Sequence, residues 1–514
     1  MAIMRRRRHD VHVLFGPTFA TFEPSVAANK ALIEALRSRG AQITALWCDQ
    51  AQSDECAVYG GVWGGGDEFA KNCFKCARAS ESEARLGDAT VRASSALSPS
   101  AEGEIQEFVR SLREDELAEL MVDGYPVGQA ARQIMSNMWT TETWEDIPNS
   151  DSLLRIHVAN LLRLNVAYTK TLDSGSFNRV VCNDSSYGMW GLLHHQAALR
   201  KIPAYSLWPV GGSRVATGDV RPAMQPDFRE PWSAFQSRKL TDLELAAVKE
   251  FLSYSCGGGG GRISLGAGTG RQTFATAGSK DAAPVVVLAA NVVWDLASYG
   301  KQRVFRDVES LVRATIEWFS TQHGDAKLVI RSHPVESDPA LPRTRKTLRG
   351  IVERELSDAG LEKPDWLVVD ESSVPLEHWL RLGANLVVNT STTGAVAAAR
   401  GAPVIVTGDA PYLGLGLGHE PQTEEEYFEL LASAAIGRLP AKDPELALKY
   451  LLLQNFVYYS DWDAYRRADW LRTAPRRAWR PKKRSEALNH VADRIMSGER
   501  VMSSEALPPV TLPR

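Results

Sequence analysis

Apolar runs and helical periodicities alternate along most of this chain. The pattern opens on a strand, "VHVLF" (Val11 to Phe15), stopped by Gly16-Pro17. Apolar positions at helical spacing then run from Ser25 to Arg39, and Gly40 supplies the stop. "QITALWC" predicts the next strand. Helices are expected over roughly Glu104 to Met121 and Asp151 to Leu172. A strand "NRVVCN", a helix from Met189 to Arg200 and a strand "PAYSLWP" follow. Two stretches interrupt the alternation, "VYGGVWGGGDEF" and "ASSALSPSAEGE". After Cys256 it fails, and "CGGGGGRISLGAGTGRQTFATAGSKDAAP" reads as a linker or mobile loop. That glycine run lacks the G-K-[S/T] ending of a phosphate-binding P-loop.

From Pro284 the alternation resumes. Strands "VVVLAAN", "KLVIR", "DWLVVD", "NLVVN" and "APVIVTG" are separated by helical stretches, including Arg303 to Gln322 and "PLEHWLRLG". Further helices are expected from Thr423 to Ala434 and from Pro444 onward. Near-continuous apolar strands alternating with helices imply parallel sheets covered on both faces. The expected fold is α/β, with two doubly wound Rossmann-like domains and C-terminal helices. The expected divisions are 1–235, an N-terminal domain with a cysteine-containing insertion; 236–283, a flexible Gly-rich linker; 284–440, a C-terminal domain; and 441–514, helices and tail.

Composition narrows the class. A chain of 514 residues suggests two or three domains. Hydrophobic residues at 44% and charged residues at 24% are ordinary for a soluble globular protein, and a net charge of −3 gives no argument for nucleic acid. No apolar stretch is long enough to span a membrane, and "MAIMRRRRHD" has no apolar signal core, so a cytoplasmic protein is expected. Two basic segments remain, Arg5 to Arg8 and "RTAPRRAWRPKKR" (Arg472 to Arg484), the second flanked by Trp470 and Trp479. They read as solvated surface, or as attachment to an anionic membrane face.

Cys48, Cys56, Cys73 and Cys76 fall close together, and the last two form a C-x-x-C. In a reducing compartment four thiolates could hold a structural zinc. The wide spacing of the first pair leaves reduced cysteines as the other reading.

Ligands of open parallel sheets bind beyond the carboxyl ends of the strands. In the second domain those ends carry Asn291, then Arg331, Ser332 and His333, then Glu371 and Ser372, then "TSTTG" (Thr390 to Gly394), then Asp409 and Tyr412. Pro334 biases His333 toward extended backbone, which aims its ring off the strand end. A hydroxyl-rich turn opening a small-residue helix can hold a phosphate, or simply cap the helix. His333 could neutralise a leaving phosphate, or make a structural hydrogen bond. The expected phosphate and nucleotide set is Arg331, Ser391, Thr392, Thr393, Gly394, Asn291, Glu371 and Ser372. In the first domain, Asp123 in "DGYPVG" and Asp184 in "CNDSS" are the candidate general bases.

These motifs carry a resemblance. The strand ending in His333-Pro334, the Ser391-Thr392 loop before a helix, and "GAPVIVTGDAPY" are similar to bacterial capsule polysaccharide biosynthesis proteins. They also resemble bacterial GT-B sialyltransferases and Kdo transferases. The resemblance implies two Rossmann-like domains of the GT-B type and transfer from a nucleotide-activated sugar, with CMP-sugars among the donors considered. It implies a polysaccharide or glycolipid acceptor. Asp123-Gly124 would supply the base, His333 would meet the donor phosphate, and Ser391-Thr392 would hold it. Val122 stands where the sialyltransferase motif has a second acidic residue. No D-x-D lies near the rim, so no catalytic metal is expected. The rivals are a polymer glycerophosphotransferase, a sugar-nucleotide 2-epimerase, and a silent binding partner in polysaccharide assembly.

Overall fold

The computed structural model describes residues 11–18, 23–52, 55–56, 66–211, 213–256, 283–294, 299–333, 336, 344–362, 364–370, 374–462 and 485–512. In chain order the elements begin with β1 (His12–Thr18), α1 (Glu23–Arg37), β2 (Gln42–Trp47), α2 (Gly66–Ala84) and β3 (Ala89–Arg92). Next come α3 (Pro99–Ser111), α4 (Glu114–Ala118), a hairpin of β4 (Met121–Val122) and β5 (Tyr125–Pro126), α5 (Val127–Met138) and α6 (Ser150–Ser174). Then β6 (Arg179–Asn183), α7 (Gly188–Leu199), β7 (Ala204–Gly211), β8 (Arg214–Gly218), α8 (Arg229–Phe235) and α9 (Asp242–Cys256) follow. The second half holds β9 (Val285–Ala289), α10 (Val308–Gln322), β10 (Lys327–Arg331), α11 (Leu348–Asp358), β11 (Leu367–Asp370) and α12 (Leu376–Arg381). It continues through β12 (Asn385–Val388), α13 (Thr393–Ala399), β13 (Val404–Val406), α14 (Glu424–Ala435), α15 (Pro444–Leu452), β14 (Ser460–Asp461) and α16 (Glu486–Ser497).

The chain forms two compact units, each built on its own sheet. The first comprises Met1–Met138, Thr143–Pro226 and Val457–Thr511; the second comprises Trp139–Glu142, Asp227–Phe456 and Leu512–Arg514. The expected divisions at 235 and 440 therefore fall elsewhere. Helices α8 and α9 belong to the second unit, and the stretch from Val457 to Thr511 returns to the first.

In the first unit seven strands run in the order β14-β8-β7-β6-β1-β2-β3. The five from β7 to β3 are parallel, whereas β8 and β14 add antiparallel pairings at one edge. The parallel core is a doubly wound sheet, as expected. One core cluster joins Val13, Phe15, Leu32, Leu36, Val181 and Leu207 to Trp462, Leu488, Val491 and Ile495 from the end of the chain.

The second unit carries five parallel strands in the order β11-β10-β9-β12-β13. The Val, Ile and Leu runs of β9, β10, β12 and β13 are buried on both faces, which is why no alternation shows in the sequence, whereas edge strand β11 exposes Val368. Side-chain caps start the flanking helices, with Asp307 on α10, Thr347 on α11 and Thr423 on α14. The chain moves outward from β9 through β10 to β11, then returns to place β12 on the other side of β9. The strand order therefore reverses between β9 and β12, where such sheets bind ligands. The helix expected from Arg303 starts later, at Val308. Before it, Gln302 pairs with Gly408 as an antiparallel bridge beyond β13.

Candidate functional site

The point of reversal in the second sheet is closed by one hydrogen bond. Asn291, just past β9, accepts the Thr390 backbone N–H at 3.0 Å through its side-chain oxygen. Parallel pairing sets this contact, because Val388 lies beside Ala289 and both chains leave the sheet on the same side. The Ser/Thr turn starts there. Ser391 donates its hydroxyl to the Thr393 hydroxyl at 2.9 Å and accepts the Thr393 N–H at 3.2 Å. The Gly394 N–H reaches the Ser391 carbonyl at 3.2 Å. Buried Tyr412 donates its phenol to that same carbonyl at 2.8 Å. A side chain at 394 would run into the Tyr412 oxygen, so glycine is required at this close approach. Thr392 serves as the N-cap residue without a side-chain capping bond. Helix α13 is only seven residues long, so hydroxyls and N–H groups, more than a macrodipole, give the turn its polarity.

His333 follows β10, which is the neighbour of β9 on the side away from β12. Two strand spacings of about 4.8 Å separate its strand from that of the Ser/Thr turn. Its carbonyl accepts the Glu336 N–H at 3.0 Å. Glu336, half-buried, takes the Leu348 N–H at 3.1 Å and the Ser332 side chain on its carboxylate. Burial pushes this carboxyl up to about 7, so it titrates near neutrality. Glu336 was not anticipated, although its place three residues after His333 could have signalled it.

The structure gives Arg331 a different set of partners. Its Nε lies 3.3 Å from Asp370 Oδ2, and it donates a hydrogen bond to the Val374 carbonyl at 3.2 Å. Asp370 also accepts the Val374 N–H and the Trp379 indole N–H, each at 3.3 Å. Both members of the pair are buried. Glu371 and Ser372, expected on the same rim, lie outside the described residues, as do Pro334 and both basic segments.

A cation that sequence reasoning missed stands at the other end of the rim. Lys301 Nζ meets Asp409 Oδ2 at 2.8 Å, and the Asp409 N–H reaches the Lys301 carbonyl at 2.7 Å. Gln302 bridges to Gly408, and a Cβ at 408 would meet the side chains of Asn389 and Thr390. The line from Lys301 through Gly408 to Thr390 and Asn291 is thus continuous. The extended pairing of Gln302 had no periodic signal.

In the first unit the two candidate bases are not brought together. Asp184 is fully buried, and its two oxygens accept the Ser186 N–H at 2.7 Å and the Met224 N–H at 2.6 Å. Burial pushes its carboxyl up to about 6. Asp123 is exposed on the hairpin turn, with Asp123 and Gly124 both at positive φ, 51° and 81°. Its carboxylate accepts hydrogen bonds from Gln196 at 3.2 Å and Asn165 at 3.4 Å, and its carbonyl meets His195 at 2.8 Å. Gln196 lies about 12 Å along α7 from its first residue, at 1.5 Å per residue. Helix α7 descends from the carboxyl end of β6, so Asp123 sits away from that rim and Asp184 sits on it.

Cys73 and Cys76 lie on α2, which sequence reasoning did not foresee as a helix. Burial, then the charges of Cys48 and Cys76, push the Cys73 thiol up to about 11. Cys76 Sγ lies 4.0 Å from the Ser80 hydroxyl. Among the described residues no group of three or more His, Cys, Asp or Glu side chains is arranged to hold a metal ion. No helix among them is long and apolar enough to cross a membrane.

Comparison with known proteins agrees with the motifs. Residues 282–435 match the family model of capsule polysaccharide biosynthesis proteins, the stretch that spans the rim from Asn291 to Tyr412. The resemblance read from His333-Pro334 and the Ser/Thr turn holds over that part of the chain. No curated protein matches the sequence. Among solved structures, the chain is similar to KpsC, the beta Kdo 2,7 transferase of Thermosulfurimonas dismutans. That likeness has 11% identity and a TM-score of 0.31, over 56% of this chain and 80% of that one. It is also similar to S. aureus MnaA solved with UDP, at 8% identity and a TM-score of 0.28, over 87% and 95% of the two chains. The Neisseria meningitidis UDP-GlcNAc 2-epimerase bound to UDP-GlcNAc shows 10% identity and a TM-score of 0.24, over 86% and 98%. Likeness at this level bears on neither substrate nor reaction.

Proposed function

We propose that this protein is a glycosyltransferase of surface polysaccharide assembly, using a nucleotide-activated sugar and a polysaccharide or glycolipid acceptor. The observation that carries the reading is the Asn291–Thr390 hydrogen bond at the reversal point of a sheet whose rim matches the capsule biosynthesis family. In this reading the donor phosphate lies along the Ser391–Gly394 turn. His333 approaches from the neighbouring side of β9 and stabilises charge on the leaving phosphate. Lys301 supplies the positive charge at the other end of the rim, exchanging Asp409 for a phosphate oxygen. Arg331, held by Asp370, supports the strand end that carries His333. Of the two candidate bases, Asp123 is exposed but lies off the rim of the first sheet, and Asp184 lies on that rim but is buried; the motif resemblance favours Asp123. No metal takes part in this scheme.

The test is a thermal-shift screen of CMP, CDP, UDP and GDP on the whole protein and on Ser391→Ala. One nucleotide should raise the melting temperature of the wild type, and Ser391→Ala should weaken that response. No response to any nucleotide would sink the donor-site reading. Release of free sugar from the matching nucleotide sugar, measured without acceptor, then separates a transferase from a silent binder.

A further inference from the structure

The second unit contains four residues whose chain neighbours on both sides belong to the first, Trp139–Glu142. Within the second unit this segment makes directional contacts with Arg345 and with the start of α10. The Arg345 guanidinium stands 4.8 Å over the Trp139 ring. The Arg345 N–H donates to the Thr140 carbonyl at 3.0 Å. Glu142 Oε1 accepts the Val308 N–H at 2.9 Å, across 166 residues of sequence. Val308 is the first residue of α10, whose own cap, Asp307, accepts the Ser310 N–H at 2.7 Å. Two carboxylates therefore share one helix start.

We infer that the segment 139–142 is a proton-controlled latch on the start of α10, held when Glu142 is protonated and released as the solution turns alkaline. The charges around Glu142 favour this direction. Asp307 and Glu309 on α10 are like charges, and exposed Arg306 is the opposing one. Glu309 is itself paired with Arg354 of α11 at 2.6 Å and with Lys346 at 3.7 Å. Arg345 is occupied by Trp139. Burial, with the Asp307 and Glu309 charges, outweighs the hydrogen bonds from the Val308 and Glu309 N–H groups and pushes the docked carboxyl up to about 7, against an ordinary 4.5. A group that binds its proton more tightly when docked strengthens docking as pH falls. That gain is complete below the ordinary glutamate value and is lost as pH rises through about 7. Release would loosen the helix start next to the rim, because Val304, just before it, donates to the Thr407 carbonyl at 3.2 Å.

Amide hydrogen exchange on the whole protein, corrected for intrinsic rates, tests the latch. Protection of the Val308 and Glu309 amides, which Glu142 holds, should fall roughly tenfold between about pH 6 and about pH 8, the response of one proton with these two affinities. Amides of β9 should keep their protection and report on global stability. Glu142→Gln keeps an acceptor without a titrating proton, and should protect both amides equally at both pH values. Glu142→Ala should leave both amides unprotected throughout, with the Ser310 amide still held by Asp307. Protection independent of pH in the wild type, or a pH response that survives Glu142→Gln, would overturn the proposal. Should the alanine variant fail to fold, the glutamine variant decides alone.

Discussion

Arg331 and Asp370 face each other across the ends of β10 and β11, with Nε and Oδ2 3.3 Å apart and side-chain exposures of 10% and 1%. A guanidinium so placed is committed to the fold. Removing one partner strands a buried charge, whereas removing both does not. Arg331→Met should therefore destabilise by about 3–5 kcal/mol in urea unfolding, and Arg331→Met with Asp370→Leu by less than that. The double variant should keep its nucleotide affinity. A stable double variant that no longer binds nucleotide would return Arg331 to the phosphate site.

Gly394 and Tyr412 form a second coupled pair. Gly394→Ala should cost about 1–3 kcal/mol, since the new methyl group meets a sealed phenol and Val388. Tyr412→Phe should cost about 1 kcal/mol for the bond to the Ser391 carbonyl. Together the two changes should cost less than their sum, because the first clash is with the oxygen the second removes. Denaturant midpoints of the three variants give the coupling.

The catalytic assignments separate by what each variant loses. If His333 meets charge that develops only in the transition state, His333→Ala should slow turnover roughly 10²–10³-fold with little change in nucleotide affinity. Asp123→Asn should abolish transfer to an acceptor, keep nucleotide affinity, and leave stability within about 0.5 kcal/mol, as for other exposed positions. Asp184→Asn should instead destabilise by about 1–3 kcal/mol, since the new amide nitrogen faces a backbone N–H that the carboxylate had satisfied. Full transfer by Asp123→Asn alongside a stable, inactive Asp184→Asn would reverse the two roles.

His157 supplies an acid-sensitive element. It is 1% exposed on α6, and neither ring nitrogen has a hydrogen-bond partner. Burial pulls its pKa down from 6.5 to about 4. The unfolded chain takes up a proton that the folded one refuses, so this contribution is complete above about 6.5 and is lost as pH falls toward 4. The loss at the acid end is on the order of 3 kcal/mol. His157→Phe should fill the same space and remove that part of the pH dependence. Urea midpoints at about pH 7.5 and about pH 5 should therefore differ less in the variant than in the wild type.

Much of the second sheet was legible because buried parallel strands leave unmistakable Val, Ile and Leu runs. The same logic put Asn291, His333 and Ser391 on one rim before any register was known. What could not be read were pairings that register alone decides. Nothing in "KLVIR" says that Arg331 ends beside Asp370, because the partner comes from strand order. Lys301 was invisible because the segment around it is extended by contact with Gly408, not by its own pattern. Helix α2 was hidden by its polar sequence, and β14 by being two residues long. Asp123 drew attention through its motif, and the turn that holds it against α7 depends on contacts with Asn165, His195 and Gln196, which no local pattern announces.

The return of Val457–Thr511 to the first unit sets an order of synthesis between the two sheets. β14 pairs with β8, and Arg179 donates hydrogen bonds to the Ile495 and Met496 carbonyls at 2.7 and 2.9 Å. Tyr205 reaches the Glu499 carbonyl at 2.9 Å, and Trp462, Leu488, Val491 and Ile495 fill the core against α1. A ribosome releases all of these after the second sheet. The five strands of that sheet are complete once β13 has emerged. The first sheet is therefore begun before the second and closed after it, and a nascent chain carries a complete second sheet while the older one still waits for its closing segment.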